Sequence, residues 1–305
     1  MTVDRRTVLR TTVKLAALAS AGGLLTACGD TGRRRADPGS FAVRPGPVDP
    51  SGTVDPAWPA GEGPASPAPT ASAPPSDGPA PDGSAARAAA ASAPPVPPVL
   101  PPLAAGTPFE VAYGPRTGRS VALTCHGSGD PALATALLET AEKRGVGLTV
   151  MVVGSWLDQQ PQMARRILDG GHELGNHTQN HQNISAMSPD RARDEIAQCA
   201  ERLQRLTGSI GRWFRPSAAQ YATPMVRDQA RAVGYEHVLA FDVDPRDYAD
   251  PTAAELQRRV LNSVRGGSVV ALHMGHRCTV DALPGILDGL AKAGLTPVTA
   301  SRLCA

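Results

Sequence analysis

From Val121 onward, short runs of apolar and β-branched residues alternate with stretches in which apolar positions recur every three or four residues. The runs Val121–Thr124, Leu148–Val153, His172–Asn176, Trp213–Phe214, His237–Phe241, Ser268–Leu272 and Thr296–Thr299 read as strands. Between them the spacing predicts helices over Pro131–Arg144 and Pro161–Leu168, a long helix from Ser188-Pro189 to Gly208, one opening at Thr223-Pro224, one at the capping box Thr252/Glu255, and one carrying Pro284–Ala293. Ala192, Ile196, Cys199, Leu203 and Leu206 fall on one stripe of the long helix, which makes Cys199 a core thiol. Strand and helix in strict alternation describe a parallel α/β sheet. Seven such units in about 200 residues predict a small, incomplete (β/α)7 barrel, with an open doubly wound sheet as the alternative.

The N-terminal residues carry a different signal. Arg5-Arg6-Thr7-Val8-Leu9 is a twin-arginine pattern, and the apolar segment Leu15–Leu25 after it is too short to span a bilayer. It ends in Leu25-Thr26-Ala27-Cys28-Gly29, which resembles a bacterial lipobox, so residues 1–28 are expected to export the chain and to leave lipid on Cys28. The expected location is the outer face of the cell membrane, facing the cell wall or periplasm, with the lipid as the only membrane contact. Residues 29–106 are dominated by Pro, Ala, Ser and Gly, with too few large apolar side chains to offset the entropy of ordering them. As a flexible coil such a linker spans roughly 45–50 Å. Residues 107–305 remain as the folded domain. Its basic residues are interspersed with acids and the whole chain carries a net charge of only +2, which disfavours nucleic acid as a partner. No coiled coil or other assembly device is visible, so a monomer is expected. An exported domain is open to disulfide formation, and Cys278 with Cys304 is the candidate pair.

Chemistry-bearing residues gather after the strands. His177 and His181 stand four apart, the spacing of a metal-binding pair, and His126, Arg215, Asp242 and His273 also follow apolar runs. Catalytic groups of strand-helix barrels collect at the C-terminal strand ends. Gly127-Ser128-Gly129-Asp130 has neither the dinucleotide fingerprint nor a phosphate-loop lysine, which argues against nucleotide chemistry.

Taken in order, Val121-Ala122-Leu123-Thr124, Val150-Met151-Val152-Val153-Gly154, Asn176-His177-Thr178-Gln179-Asn180-His181, Phe214-Arg215-Pro216, Asp247-Tyr248 and Ala271-Leu272-His273 resemble the polysaccharide deacetylase (NodB-like, carbohydrate esterase family 4) domain over roughly Phe109–Thr299. The resemblance implies a deformed (β/α) barrel and a divalent metal, zinc foremost, held by one aspartate and by His177 and His181. It further implies Arg215 as the arginine that orients the base, a backbone N–H near Ala218 as oxyanion donor, and His273, tuned by Asp247, as the group that protonates the leaving atom. Trp156 and Tyr221, in loops after strands, are candidates to stack on a sugar ring.

The first motif departs from the family pattern. Where the family has Thr-Phe-Asp-Asp-Gly, this chain reads Thr124-Cys125-His126-Gly127-Ser128-Gly129-Asp130. In one arrangement His126 takes the base's position and Asp130 supplies the metal carboxylate. In the other, His126 is on the metal and Asp130 is the base. The implied activity is metal-dependent removal of acetyl groups, foremost N-acetyl, from a cell-envelope or environmental glycan such as peptidoglycan. The rivals are an O-acetyl esterase and a catalytically degenerate glycan-binding or scaffolding domain.

Overall fold

The computed structural model describes residues 99–305. The twin-arginine segment, Cys28 and the linker up to residue 98 lie outside the described residues.

Eight strands alternate with helices: β1 (Glu110–Val111), β2 (Ser120–Gly127), α1 (Pro131–Glu142), β3 (Thr149–Val152), α2 (Gly154–Gln159), α3 (Gln162–Asp169), β4 (Glu173–Asn176), α4 (Pro189–Thr207), β5 (Trp213–Phe214), α5 (Pro224–Val233), β6 (His237–Leu239), α6 (Ala253–Ser263), β7 (Val269–His273), α7 (Arg277–Lys292), β8 (Thr296–Val298) and α8 (Ala300–Leu303). The sheet is parallel throughout, in the order β1-β6-β5-β4-β3-β2-β7, with β8 added beside the first half of β2. β1 and β7 share no ladder. The gap between them is crossed by isolated bridges, Tyr113 with Ser268 and Val243 with Val270. This is the incomplete barrel that the alternation predicts.

β2 sets the frame. Period-two alternation sends Val121, Leu123 and Cys125 outward into the apolar layer shared with α1 and α7, while Ala122, on the opposite face, joins an inner cluster with Met151, Trp213, Leu239 and Val269. Thr124 and His126 follow Ala122 on that face. The strand runs three residues past its predicted end because β3 pairs with it as far as Gly127 and β7 as far as His126. Helix starts follow the caps read from sequence. Ser188, Thr223 and Thr252 each accept a backbone N–H, and α4 stops at Gly208, which takes φ 77°.

Four elements differ from the sequence expectation, one of them α8, a single turn that the sequence reading left out. β1 is too short to show a period, and α2 opens at Gly154 without a side-chain cap, so neither is announced in the sequence. Helix α7 contains the predicted stretch from Pro284 as far as Lys292 but begins earlier, at Arg277, with Pro284 inside it.

At the N-terminal end of the barrel, Glu173 is buried and satisfied on both oxygens. Oε1 accepts from Trp213 Nε1 at 3.0 Å and from Ser301 Oγ, and Oε2 accepts from Ser301 N at 3.0 Å and Thr149 Oγ1 at 3.2 Å. This network ties α8 under the barrel floor, and Ala300 N donates to Thr149 Oγ1 beside it.

Candidate active site

At the other end, β2, β4, β5 and β7 deliver His126, His177, Arg215 and His273 to one place. His126 and His273 are register partners on adjacent strands, and their Nδ1 and Nε2 atoms are 2.6 Å apart. The His126 ring stacks on that of His177, with centroids 4.1 Å apart. His177 and His181 turn their Nε2 atoms towards each other at 3.1 Å. One nitrogen from each of His126, His177 and His181 lies within 4.8 Å of the others.

The His177–His181 segment is a loop rather than a helix, and it is held in a costly shape. Thr178 at φ 68° and His181 at φ 54° are left-handed, a conformation that a β-branched residue rarely adopts. Asn176 Oδ1 accepts from Thr178 N at 2.8 Å, and its Nδ2 donates to Ile196 O and to Tyr235 Oη. Glu195 of α4 accepts from Asn180 N at 2.8 Å and from its Nδ2 at 2.7 Å. Asn176, Tyr235 and Glu195 are therefore positioning residues that the sequence reading missed. Only the asparagine beside His177 lay near a recognised motif.

The hydrogen-bond partners fix the tautomers. His177 Nδ1 donates to the carbonyl of Arg215 at 3.0 Å, which leaves its lone pair on Nε2, facing His181. Arg215 is fully buried. It donates from Nε to Leu239 O at 2.8 Å, from Nη2 to Ala240 O at 3.3 Å, and from Nη1 to His126 Nε2 at 3.2 Å. A guanidinium can only donate, so His126 Nε2 carries the lone pair and its Nδ1 carries the proton. That proton goes to His273 Nε2, and His273 Nδ1 donates to Asp247 Oδ1 at 2.6 Å. Asp247, also buried, accepts further from His273 N and Thr279 Oγ1, each at 2.7 Å. Arg215, His126, His273 and Asp247 thus form one directed chain.

Burial holds His126 and His177 well below the usual histidine range, with neighbouring imidazoles adding to the effect. His181 is lowered to about 4, again chiefly by burial. All three are neutral near pH 7. Burial also lowers Arg215 to about 9, which leaves it charged there.

This donor set fits a divalent metal. Zinc holds imidazole nitrogen at about 2.0–2.1 Å, so two nitrogens of a tetrahedral site lie roughly 3.3 Å apart. The His177–His181 separation of 3.1 Å is close to that figure. An all-imidazole group suits zinc and its neighbours rather than magnesium or calcium, which require oxygen.

Several sequence expectations are corrected. Asp130 is exposed and serves as the N-cap of α1, its Oδ1 accepting from Ala132 N at 2.8 Å. It does not join the histidine group, because the turn after β2 runs straight into the helix. Gly129 at φ 93° packs so tightly on Gly275 that a β-carbon would lie 2.6 Å from the Gly275 Cα. Arg215 accordingly contacts His126, not Asp130. Trp156 is buried in α2 and donates from Nε1 to Gly129 O at 2.9 Å, so it anchors the β2 turn and cannot stack on a sugar. Cys278 and Cys304 are free thiols in separate apolar clusters, one against α7's packing layer and one against α8. Ala218 is exposed at φ 53° in the loop after β5, and Tyr221 in the same loop is 50% exposed.

Residues 113–238 match the family model for polysaccharide deacetylase, a span that holds His126, His177, His181 and Arg215. The peptidoglycan-N-acetylglucosamine deacetylase of Bacillus cereus is 30% identical over 193 residues, which cover 62% of this chain and 90% of that protein. The chain belongs to the polysaccharide deacetylase family. A chitooligosaccharide deacetylase of a Bradyrhizobium strain is 30% identical over 166 residues, covering 54% of this chain and 75% of the relative. Among solved structures, a peptidoglycan N-acetylglucosamine deacetylase in complex with an N-hydroxybenzamide superposes with a TM-score of 0.60 at 26% identity, over 65% of this polysaccharide deacetylase and 96% of the other. A CE4 family pseudoenzyme from Bacillus anthracis gives a TM-score of 0.62 at 24% identity, over 65% and 70% of the two chains, a likeness of fold alone.

Proposed function

We propose that the domain is a metal-dependent hydrolase that removes N-acetyl groups from a cell-envelope glycan such as peptidoglycan, tethered to the outer face of the membrane by lipid on Cys28. The observation that carries the reading is the buried Asp247–His273 pair standing beside the converged nitrogens of His177 and His181. The names of the bacterial relatives support N-acetyl sugars as the substrate class.

His177 and His181 would hold the metal, zinc by the chemistry of the donors, with His126 the third nitrogen within reach. When bound, such an ion polarises the acetyl carbonyl and lowers the pKa of water to about 7. The chain's own residues do the rest. In the resting arrangement His273 Nε2 accepts from His126 Nδ1, and it becomes the basic atom of the site when that hydrogen bond gives way to water. It can take the proton of the attacking water and return it to the leaving nitrogen, while Asp247 holds the ring and stabilises its cation. Because Arg215 Nη1 holds the lone pair of His126, this reading gives His126 a positioning place in the chain rather than the role of base that one of the two sequence arrangements assigned it. The backbone N–H of Ala218 would supply an oxyanion donor, and Tyr221 would offer its exposed ring to the sugar.

The first motif lacks the two aspartates of the family pattern, which favours a second reading as a glycan-binding domain without turnover. Incubating the zinc-loaded chain with peptidoglycan and with N-acetylchitooligosaccharides, while following acetate and free amine together, separates the readings. Both products, lost in His273→Ala, support the deacetylase. Acetate without amine indicates an O-acetyl ester, and binding without either product leaves the glycan-binding reading.

A further inference from the structure

Arg215 is fully buried, and no aspartate or glutamate forms an ion pair with it among the described residues. Its three hydrogen bonds go to two carbonyls and to His126 Nε2. A neutral imidazole has one lone pair. That of His126 is on Nε2, because Nδ1 is committed as donor to His273, whose own Nδ1 is committed to Asp247. The third nitrogen of the histidine group is therefore already in use, and its user is a cation.

We propose that Arg215 and the metal compete for this single lone pair. The inference rests on the metal-site reading given above. His177 Nε2 carries a lone pair turned towards His181, and these two histidines form the primary hold. His126 becomes a third ligand only when Arg215 Nη1 withdraws from Nε2. A guanidinium withdrawn in this way keeps its bonds to Leu239 O and Ala240 O, so the arginine need only pivot, not leave its pocket. The repulsion between a buried guanidinium and a divalent ion acts in the same direction as the contest for the lone pair. Arg215 thus makes metal occupancy conditional, a positioning role distinct from touching substrate.

Calorimetric titration of zinc into the native chain and into Arg215→Met is the test. The expected result is binding about tenfold or more tighter in the variant, the scale of one charge-assisted hydrogen bond removed from the competition. Equal or weaker binding by a folded Arg215→Met overturns the proposal. Should that variant fail to fold, the native chain labelled with 15N-histidine answers the same question through its ring nitrogens. The proposal expects His126 protonated on Nδ1 before zinc, with its Nε2 resonance moving late in the titration, after those of His177 and His181. An Nε2-protonated His126, or three histidines responding together, overturns it. Absence of zinc binding in both native chain and variant sinks the metal-site reading itself, whereas equal binding at His177 and His181 sinks only the competition.

Discussion

Asp247 grips His273 twice, through the backbone N–H at 2.7 Å on one carboxylate oxygen and through ring Nδ1 at 2.6 Å on the other. The grip sets both the position and the tautomer of the imidazole. Replacing Asp247 with Asn puts a donor where the ring N–H needs an acceptor. We expect kcat to fall by about 10²–10⁴-fold with KM little changed, measured as amine release from an N-acetylated oligosaccharide. A parallel loss of substrate binding would point to collapse of the loop instead.

Metal analysis distinguishes the histidine pair from the displaced aspartate. His177→Ala and His181→Ala should each lose most of the bound ion by plasma emission spectrometry. Asp130→Ala should keep it and lose only about 1 kcal/mol of stability, the usual cost of a helix cap. Loss of metal in Asp130→Ala would contradict the placement of that side chain at the head of α1.

The buried imidazoles predict acid sensitivity with a definite sign. Their folded pKa values lie below the unfolded value of about 6.5, so in acid the unfolded chain binds more protons than the folded one. Stability should be full above pH 6.5 and fall steadily towards pH 4, where His181 itself begins to titrate in the folded chain. Urea midpoints measured across that range check this. A flat profile would mean that the histidines are solvated.

The two aromatics, Trp156 in α2 and Tyr221 in the loop after β5, should behave oppositely. Trp156→Phe removes one hydrogen bond to Gly129 O and should cost about 1 kcal/mol while leaving KM unchanged. Tyr221→Ala should leave the melting temperature in place and raise KM several-fold for an oligosaccharide. Equal KM values for both variants would remove Tyr221 from the glycan contact.

The four cysteines of the described domain are buried, and burial lifts the thiols of Cys199 and Cys304 to about 12. Maleimide labelling with peptide mapping should therefore find all four unreactive when folded and all four reactive in denaturant. A Cys278–Cys304 peptide pair resistant to labelling would restore the disulfide.

What was legible in the sequence is local. Apolar runs named seven of the eight strands, and Ser188, Thr223 and Thr252 named three helix starts, because each signal is complete within a few residues. The spacing of His177 and His181 is equally local. What failed depended on direction. Asp130 is four residues beyond His126, and nothing in that spacing tells whether the chain turns back to the site or enters a helix. The packing of Gly129 on Gly275, a residue 146 positions away, decides it. Glu195 and Tyr235 went unnoticed for the same reason, since their partners come from other elements.

The floor of the barrel bears on how the chain is made. Glu173 enters the sheet on β4, but two of its donors come from Ser301, and the strand pairing of β2 is finished only by residues 296–298. A nascent chain still short of that point would hold a carboxylate under the sheet with half of its hydrogen bonds missing and the early half of β2 open on one side. Closure of the floor therefore waits for the ribosome to deliver β8 and α8. A product that lacks this segment should remain open to chaperones and proteases, with β8 and Ser301 acting as the seal on the barrel floor.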